Sequence, residues 1–143
     1  MGGKAPGAAR AQAAEPIAVV VNPANPISDI AVEDVRHLYL GVRTVFPNGQ
    51  PVLLFEATPI AGRFYAAALD MDPAQVKRYW IGMVFQGDPA VPPLRVEDLK
   101  EVKRRVARHP GAVSFLPTAL ADSSVKILRI HGTLPGERDY PLR

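Results

Sequence analysis

Ile17-Ala18-Val19-Val20-Val21-Asn22-Pro23 carries the first decision about the fold. Five consecutive apolar residues, four of them β-branched, show no alternation, which is the pattern of a strand covered on both faces. Asn22-Pro23-Ala24-Asn25-Pro26 ends it, because each proline lacks an N–H and also restricts the residue before it. Downstream, Val32, Val35, Leu38 and Tyr39 share one helical face and Gly41 stops the helix. Ala31 stands where a capping hydroxyl belongs, a defect of about 1 kcal/mol unless Ser28 or Asp29 takes over.

The same two periods recur along the chain. Pro47-Asn48-Gly49-Gln50 is a turn, and Pro51-Val52-Leu53-Leu54-Phe55 reads as a second buried strand. Arg63 to Leu69 reads as a short helix. Asp72-Pro73-Ala74-Gln75 is an N-cap with a capping-box glutamine and opens a longer one. In that helix Val76, Tyr79, Trp80, Met83 and Val84 make a wide apolar stripe, expected to pack in the core. Val96, Leu99, Val102 and Val106 line a fourth helix ending before Pro110, and 112–116 and 125–130 read as strands. Four strands interleaved with four helices make an α/β domain with a mixed or mostly parallel sheet. The expected organisation is a tail over 1–15, a folded lobe over 16–132 and a C-terminal tail over 133–143.

Composition limits what such a chain does. Its 143 residues suit one compact domain, and 48% apolar with 22% charged residues is a globular balance. Zero cysteines exclude disulfides, thiol catalysis and cysteine-based zinc sites. No apolar run approaches the ~20 residues of a membrane span. The net charge of +3 is uneven: ten basic and six acidic residues lie from Arg95 onward, an asymmetry compatible with an anionic partner. Residues 1–15 are Ala/Gly-rich and aperiodic. Ala11-Gln12-Ala13 has the small-x-small form of a signal-peptidase site but no apolar region precedes it. A start placed inside a longer signal peptide is the expectation adopted, with a flexible tail as the alternative.

Several segments together resemble a known family. Ile17-Ala18-Val19-Val20-Val21-Asn22-Pro23 with Asn25-Pro26-Ile27, then Val35-Arg36-His37-Leu38-Tyr39-Leu40-Gly41, look like the opening of the second lobe of the PstS-type phosphate-binding proteins of ABC transporters. Trp80, Phe85-Gln86-Gly87, Pro92-Pro93, Pro110-Gly111-Ala112-Val113-Ser114-Phe115 and Val125-Lys126-Ile127-Leu128-Arg129-Ile130 extend the likeness over residues 16–132. The resemblance implies a single lobe of a type II periplasmic binding protein-like fold, with a sheet of about four strands flanked by helices. It also implies a phosphate-like inorganic anion as ligand, an ABC permease or a second copy as partner, a periplasmic or secreted location, and no cofactor. The chain departs from the family at the anion signature. Glu56-Ala57-Thr58-Pro59-Ile60-Ala61-Gly62-Arg63 lacks the family's Ser-Gly-Thr turn, and Glu56 stands near its arginine.

The candidate anion site is the turn from Thr58 to Arg63. A helix start presents unpaired N–H groups, Thr58 offers a hydroxyl, Gly62 permits close approach and Arg63 can hold an oxyanion bidentately. The alternative is an ordinary strand-to-helix loop, with Arg63 solvated or paired to Glu56. A secondary candidate is the loop with Asn22, Asn25 and Ser28 at a strand's carboxyl end, where ligands of open α/β sheets sit; Asx turns and helix capping are the reading preferred for it.

Lys100, Lys103, Arg104, Arg105 and Arg108 read as a solvated helix face, because neither interleaved aromatics nor a nucleic-acid reading motif accompanies them. His37, His109 and His131 have no metal-ligand spacing, and no nucleophile elbow, P-loop or dinucleotide fingerprint occurs. The expected function is oxyanion binding without catalysis. The alternative is a ligand-free interaction module of the cell envelope built on the same lobe.

Overall fold

The computed structural model describes residues 15–143, so the tail reading for residues 1–14 lies outside it. Its main sheet has five strands: β1 (Ile17–Val21), β3 (Leu53–Ala57), β4 (Leu94–Val96), β5 (Ala112–Pro117) and β6 (Lys126–Ile127), in the order β4-β3-β5-β1-β6. β3 runs parallel to both β4 and β5, whereas β1 is antiparallel to β5, with Val19 opposite Phe115, and to β6. A separate parallel pair joins β2 (Asp29–Ile30) to β7 (Arg129–Ile130). Every residue of β1 has no exposed surface, as its unbroken apolar run requires.

Among the described residues four α-helices cover the sheet: α1 (Val32–Tyr39), α2 (Ala61–Leu69), α3 (Pro73–Phe85) and α4 (Leu99–Arg108). Strand alternation sorts them by face. Phe55 lies under the Arg105 guanidinium of α4, so its neighbour Glu56 points to the other face, where Tyr65 of α2 meets it. On that second face Phe64 stacks on Phe115 with ring centroids 3.8 Å apart, and Tyr39 meets Phe64 edge-on at 5.0 Å. Arg36 of α1 donates to the Ala68 carbonyl of α2 (3.1 Å). α3 then closes the end of α1: Trp80 Nε1 donates to the Tyr39 carbonyl (3.1 Å) and Tyr79 Oη to that of Leu40 (2.5 Å). These are carbonyls the helix itself leaves without partners.

The structure corrects the sequence reading at several elements. Val96 belongs to β4 and not to the fourth helix, because Asp98 caps that helix by accepting from Lys100 N (3.1 Å) and Pro92-Pro93 keeps the chain before it extended. The second strand starts at Leu53 and not at Pro51. Residues 44–52 close a hairpin of their own, with Val52 N donating to the Thr44 carbonyl (3.0 Å) and Phe46 N to that of Gln50 (2.8 Å). The strand read over 125–130 serves two sheets, β6 bonding β1 and β7 bonding β2, with buried Leu128 at the crossover.

Neither Ser28 nor Asp29 caps α1. The imidazole Nε2 of His131 accepts from Val32 N instead (3.3 Å), a partner 99 residues away. Residues 133–143, set apart as a tail, are packed on the core: Tyr140 and Leu142 are buried, Tyr140 Oη donates to the Ile17 carbonyl (2.5 Å), and Ile17 N donates to that of Leu142 (3.0 Å).

Candidate functional site

A cleft of about 810 Å³ opens at the β4 edge of the sheet, reaching from the carboxyl end of β3 to Pro92 and Pro93 ahead of β4, between the first turn of α2 and one flank of α3. Its inner end is polar. Glu56, the penultimate residue of β3, has a side chain only 14% exposed. Oε1 accepts from Tyr65 Oη (2.7 Å) and Oε2 from Thr58 Oγ1 (3.2 Å), while Arg95 Nε of β4 lies 3.3 Å from Oε2. The pairing follows from register: Glu56 and Arg95 are opposite residues of the parallel β3–β4 ladder. Burial, followed by the hydrogen bond to the Glu56 carboxylate, pushes the Tyr65 phenol far above its ordinary range, so it stays a donor in neutral solution.

Two cations line this part of the cleft, Arg95 and Lys77. Arg95 is shared between two carboxylates, Glu56 and Glu97 (3.8 Å from its Nη2), whereas Lys77 of α3 has no ion-pair partner among the described residues. The first turn of α2 adds its partial positive charge. The rest of the lining is apolar: Val76, Trp80, Ile81, Val84 and Phe85 of α3, with Pro92 and Pro93.

The residues singled out from sequence separate here. Thr58 and Gly62 line the cleft, Thr58 in a 3-10 turn that leads directly into α2. Arg63 does not line it; its guanidinium donates to the backbone carbonyl of Glu15, at the start of the described chain. Asn22, Asn25 and Ser28 lie at the carboxyl end of β1, and β1 is antiparallel to β5 while β3 is parallel to it. That loop is therefore at the opposite end of the sheet from the cleft.

Within the loop, Asn22 Nδ2 donates to the Val106 and Ala107 carbonyls of α4 (3.0 Å each), and its Oδ1 accepts from Ala24 N (2.9 Å). Asn25 Oδ1 accepts from Ile27 N (3.1 Å) and from Asn48 Nδ2 (3.2 Å), and the Ser28 carbonyl accepts from Arg129 N (2.9 Å).

The sequence reading missed Tyr65, Lys77 and Arg95 as cleft residues, and it assigned the whole α3 stripe to the core. Val76 and Trp80 are buried and Tyr79 and Met83 pack against them, but Val84 of that stripe is 56% exposed, and Ile81 and Phe85, outside the stripe, are 55% and 91% exposed. A signal was present: the apolar positions of α3 wrap about two-thirds of its circumference, more than one buried face needs. On α4, Lys103 pairs with Asp122 (2.7 Å), and Arg104 and Arg105 both pair with Glu101 (2.8 and 2.9 Å). Most of that basic helix is thus satisfied within the fold.

No family model matches the chain, and no curated protein does. Solved structures do. An ABC-type phosphate transport receptor from Vibrio cholerae superposes with a TM-score of 0.67 at 22% identity, covering 90% of this chain and 53% of the receptor. PstS from Borrelia burgdorferi gives 0.69 at 12% identity, with 90% and 54% covered. A putative phosphate ABC transporter substrate-binding protein with bound phosphate, from Clostridium perfringens, gives 0.67 at 15% identity, with 85% and 47% covered. The chain spans about half the length of each. At these identities the likeness shows the fold: a single α/β lobe of the kind found in phosphate-binding proteins of ABC transporters.

Proposed function

We propose that this lobe binds a small phosphate-like oxyanion, without performing chemistry on it, in the service of ABC-type uptake or sensing in the periplasm or outside the cell. The observation that carries the reading is that Thr58 and the first turn of α2, just past the carboxyl end of β3, line one cleft with Arg95 of the parallel strand β4 and with Lys77. The solved structures described as phosphate receptors support it through their shared fold. Arg95 takes the part that sequence reasoning reserved for Arg63. Its guanidinium is held by Glu56 through Nε and lies 3.8 Å from Glu97 through Nη2, but 65% of the side chain is accessible, so an anion can compete for its N–H donors. A permease, or a second lobe closing over the ligand, is the partner such a half-site calls for.

Calorimetric titration with phosphate tests this. Saturable binding is expected, weakened about tenfold or more by Arg95→Ala and unchanged by Arg63→Ala. Binding that ignores Arg95 and Lys77 substitutions removes the site assignment.

The exposed apolar flank of α3 favours a second reading, in which the lobe is a ligand-free interaction module. A stable oligomer that neither phosphate nor sulfate perturbs is its signature in mass measurements.

A further inference from the structure

Cleft volume and wall chemistry do not match a bare inorganic ion. A five-atom oxyanion displaces roughly 60 Å³, two waters' share of liquid volume, against the 810 Å³ available here. That volume falls in the range of about 300–1,000 Å³ typical of sites for organic ligands, which combine apolar walls with a few converging polar groups. Both features are present. Arg95 and Lys77 stand with Thr58 at the polar end, and Ile81, Val84 and Phe85 present exposed apolar surface along the rest.

The apolar wall is built and not incidental. Val76 and Trp80 of the same helix are buried and Tyr79 and Met83 pack beside them, whereas Ile81 and Val84 leave more than half of their surface exposed and Phe85 nearly all of it. Exposed, they hold water against hydrocarbon, a cost that a ligand's apolar body removes.

We propose that the cleft takes an organic oxyanion, a phosphate monoester or phosphonate with an apolar body, whose head lies at Arg95 and Lys77 and whose body lies along α3. The proposal rests on the oxyanion reading above and adds the body. Charge sets the orientation: Arg95 and Lys77 are the cations of the lining, Lys77 without an ion-pair partner among the described residues, and the flank from Ile81 to Phe85 carries no charge.

Phenyl phosphate, inorganic phosphate and phenol are the probes, titrated into the intact chain. Phenyl phosphate is expected to bind at least about tenfold more tightly than inorganic phosphate, since burial of a ring exceeds the free energy of one decade in affinity. Phe85→Ser and Val84→Ser, both at exposed positions that the folded lobe does not need, should abolish that advantage while leaving inorganic phosphate binding unchanged. Equal affinity for the two phosphates overturns the proposal and leaves the oxyanion reading standing. Phenol binding as tightly as phenyl phosphate also overturns it, because the head would then go unread. Silence with both phosphates defeats the proposal and the oxyanion reading together.

Discussion

Gly41 shows how much one residue carries. It follows α1 with φ +70°, a left-handed conformation that costs an L side chain about 1–2 kcal/mol. A Cβ there would also meet Cη2 of Trp80 at 2.5 Å, too close for a non-bonded carbon pair. The helix stop was legible from the sequence because glycine is the usual residue past a helix end. The second role was not, because Trp80 is far along the chain and only folding brings it there. Gly41→Ala should therefore cost about 2–3 kcal/mol, more than the conformational term alone. A fall in the urea midpoint with an unchanged slope, together with altered Trp80 fluorescence, is the expected result.

Glu56 is the complementary case. Read as an acid misplaced in an anion site, it is in the folded chain a hub that holds Tyr65, Thr58 and Arg95 in position.

Among the elements, α3 has two jobs that pull on its sequence differently. Its start is local chemistry: Asp72 Oδ1 accepts from Gln75 N and Gln75 Oε1 accepts from Asp72 N, both at 2.8 Å. Such a capping box is readable residue by residue. Asp72→Ala should lower stability by about 1 kcal/mol, seen as a shifted denaturation midpoint, with the cleft still formed because Trp80 continues to anchor the helix. Its far flank, Ile81 to Phe85, has the hydrophobicity of a core position without the burial. Periodicity reports that a face is apolar; it does not report what lies opposite.

β4 and the β6–β7 segment were misread for a related reason. Short strands of two or three residues have no period to detect, and their hydrogen-bond partners lie tens of residues away.

For the whole molecule, the C-terminal residues 133–143 matter most. Tyr140 and Leu142 are as buried as any residue of the sheet and close the first strand's end. Removing either side chain from a packed site costs about 2–5 kcal/mol, against total stabilities of about 5–15 kcal/mol for single domains. A chain ending after Gly132 should lose its cooperative unfolding transition in circular dichroism. Retention of a sharp transition near the full chain's midpoint would make the segment dispensable.

The sequence by itself determined the α/β class, the fully covered first strand, the capped start of α3 and the stop of α1. Each of these rests on neighbours within about one helical turn or one strand length. The tertiary structure alone decided that the carboxyl ends of β1 and β3 lie at opposite ends of the sheet, that Arg95 rather than Arg63 stands at the cleft, and that the last residues belong to the core. Strand direction, cross-strand register and the partner of an apolar face are long-range properties. No local pattern encodes them, because they are set by which surfaces meet once the whole chain has closed around its core.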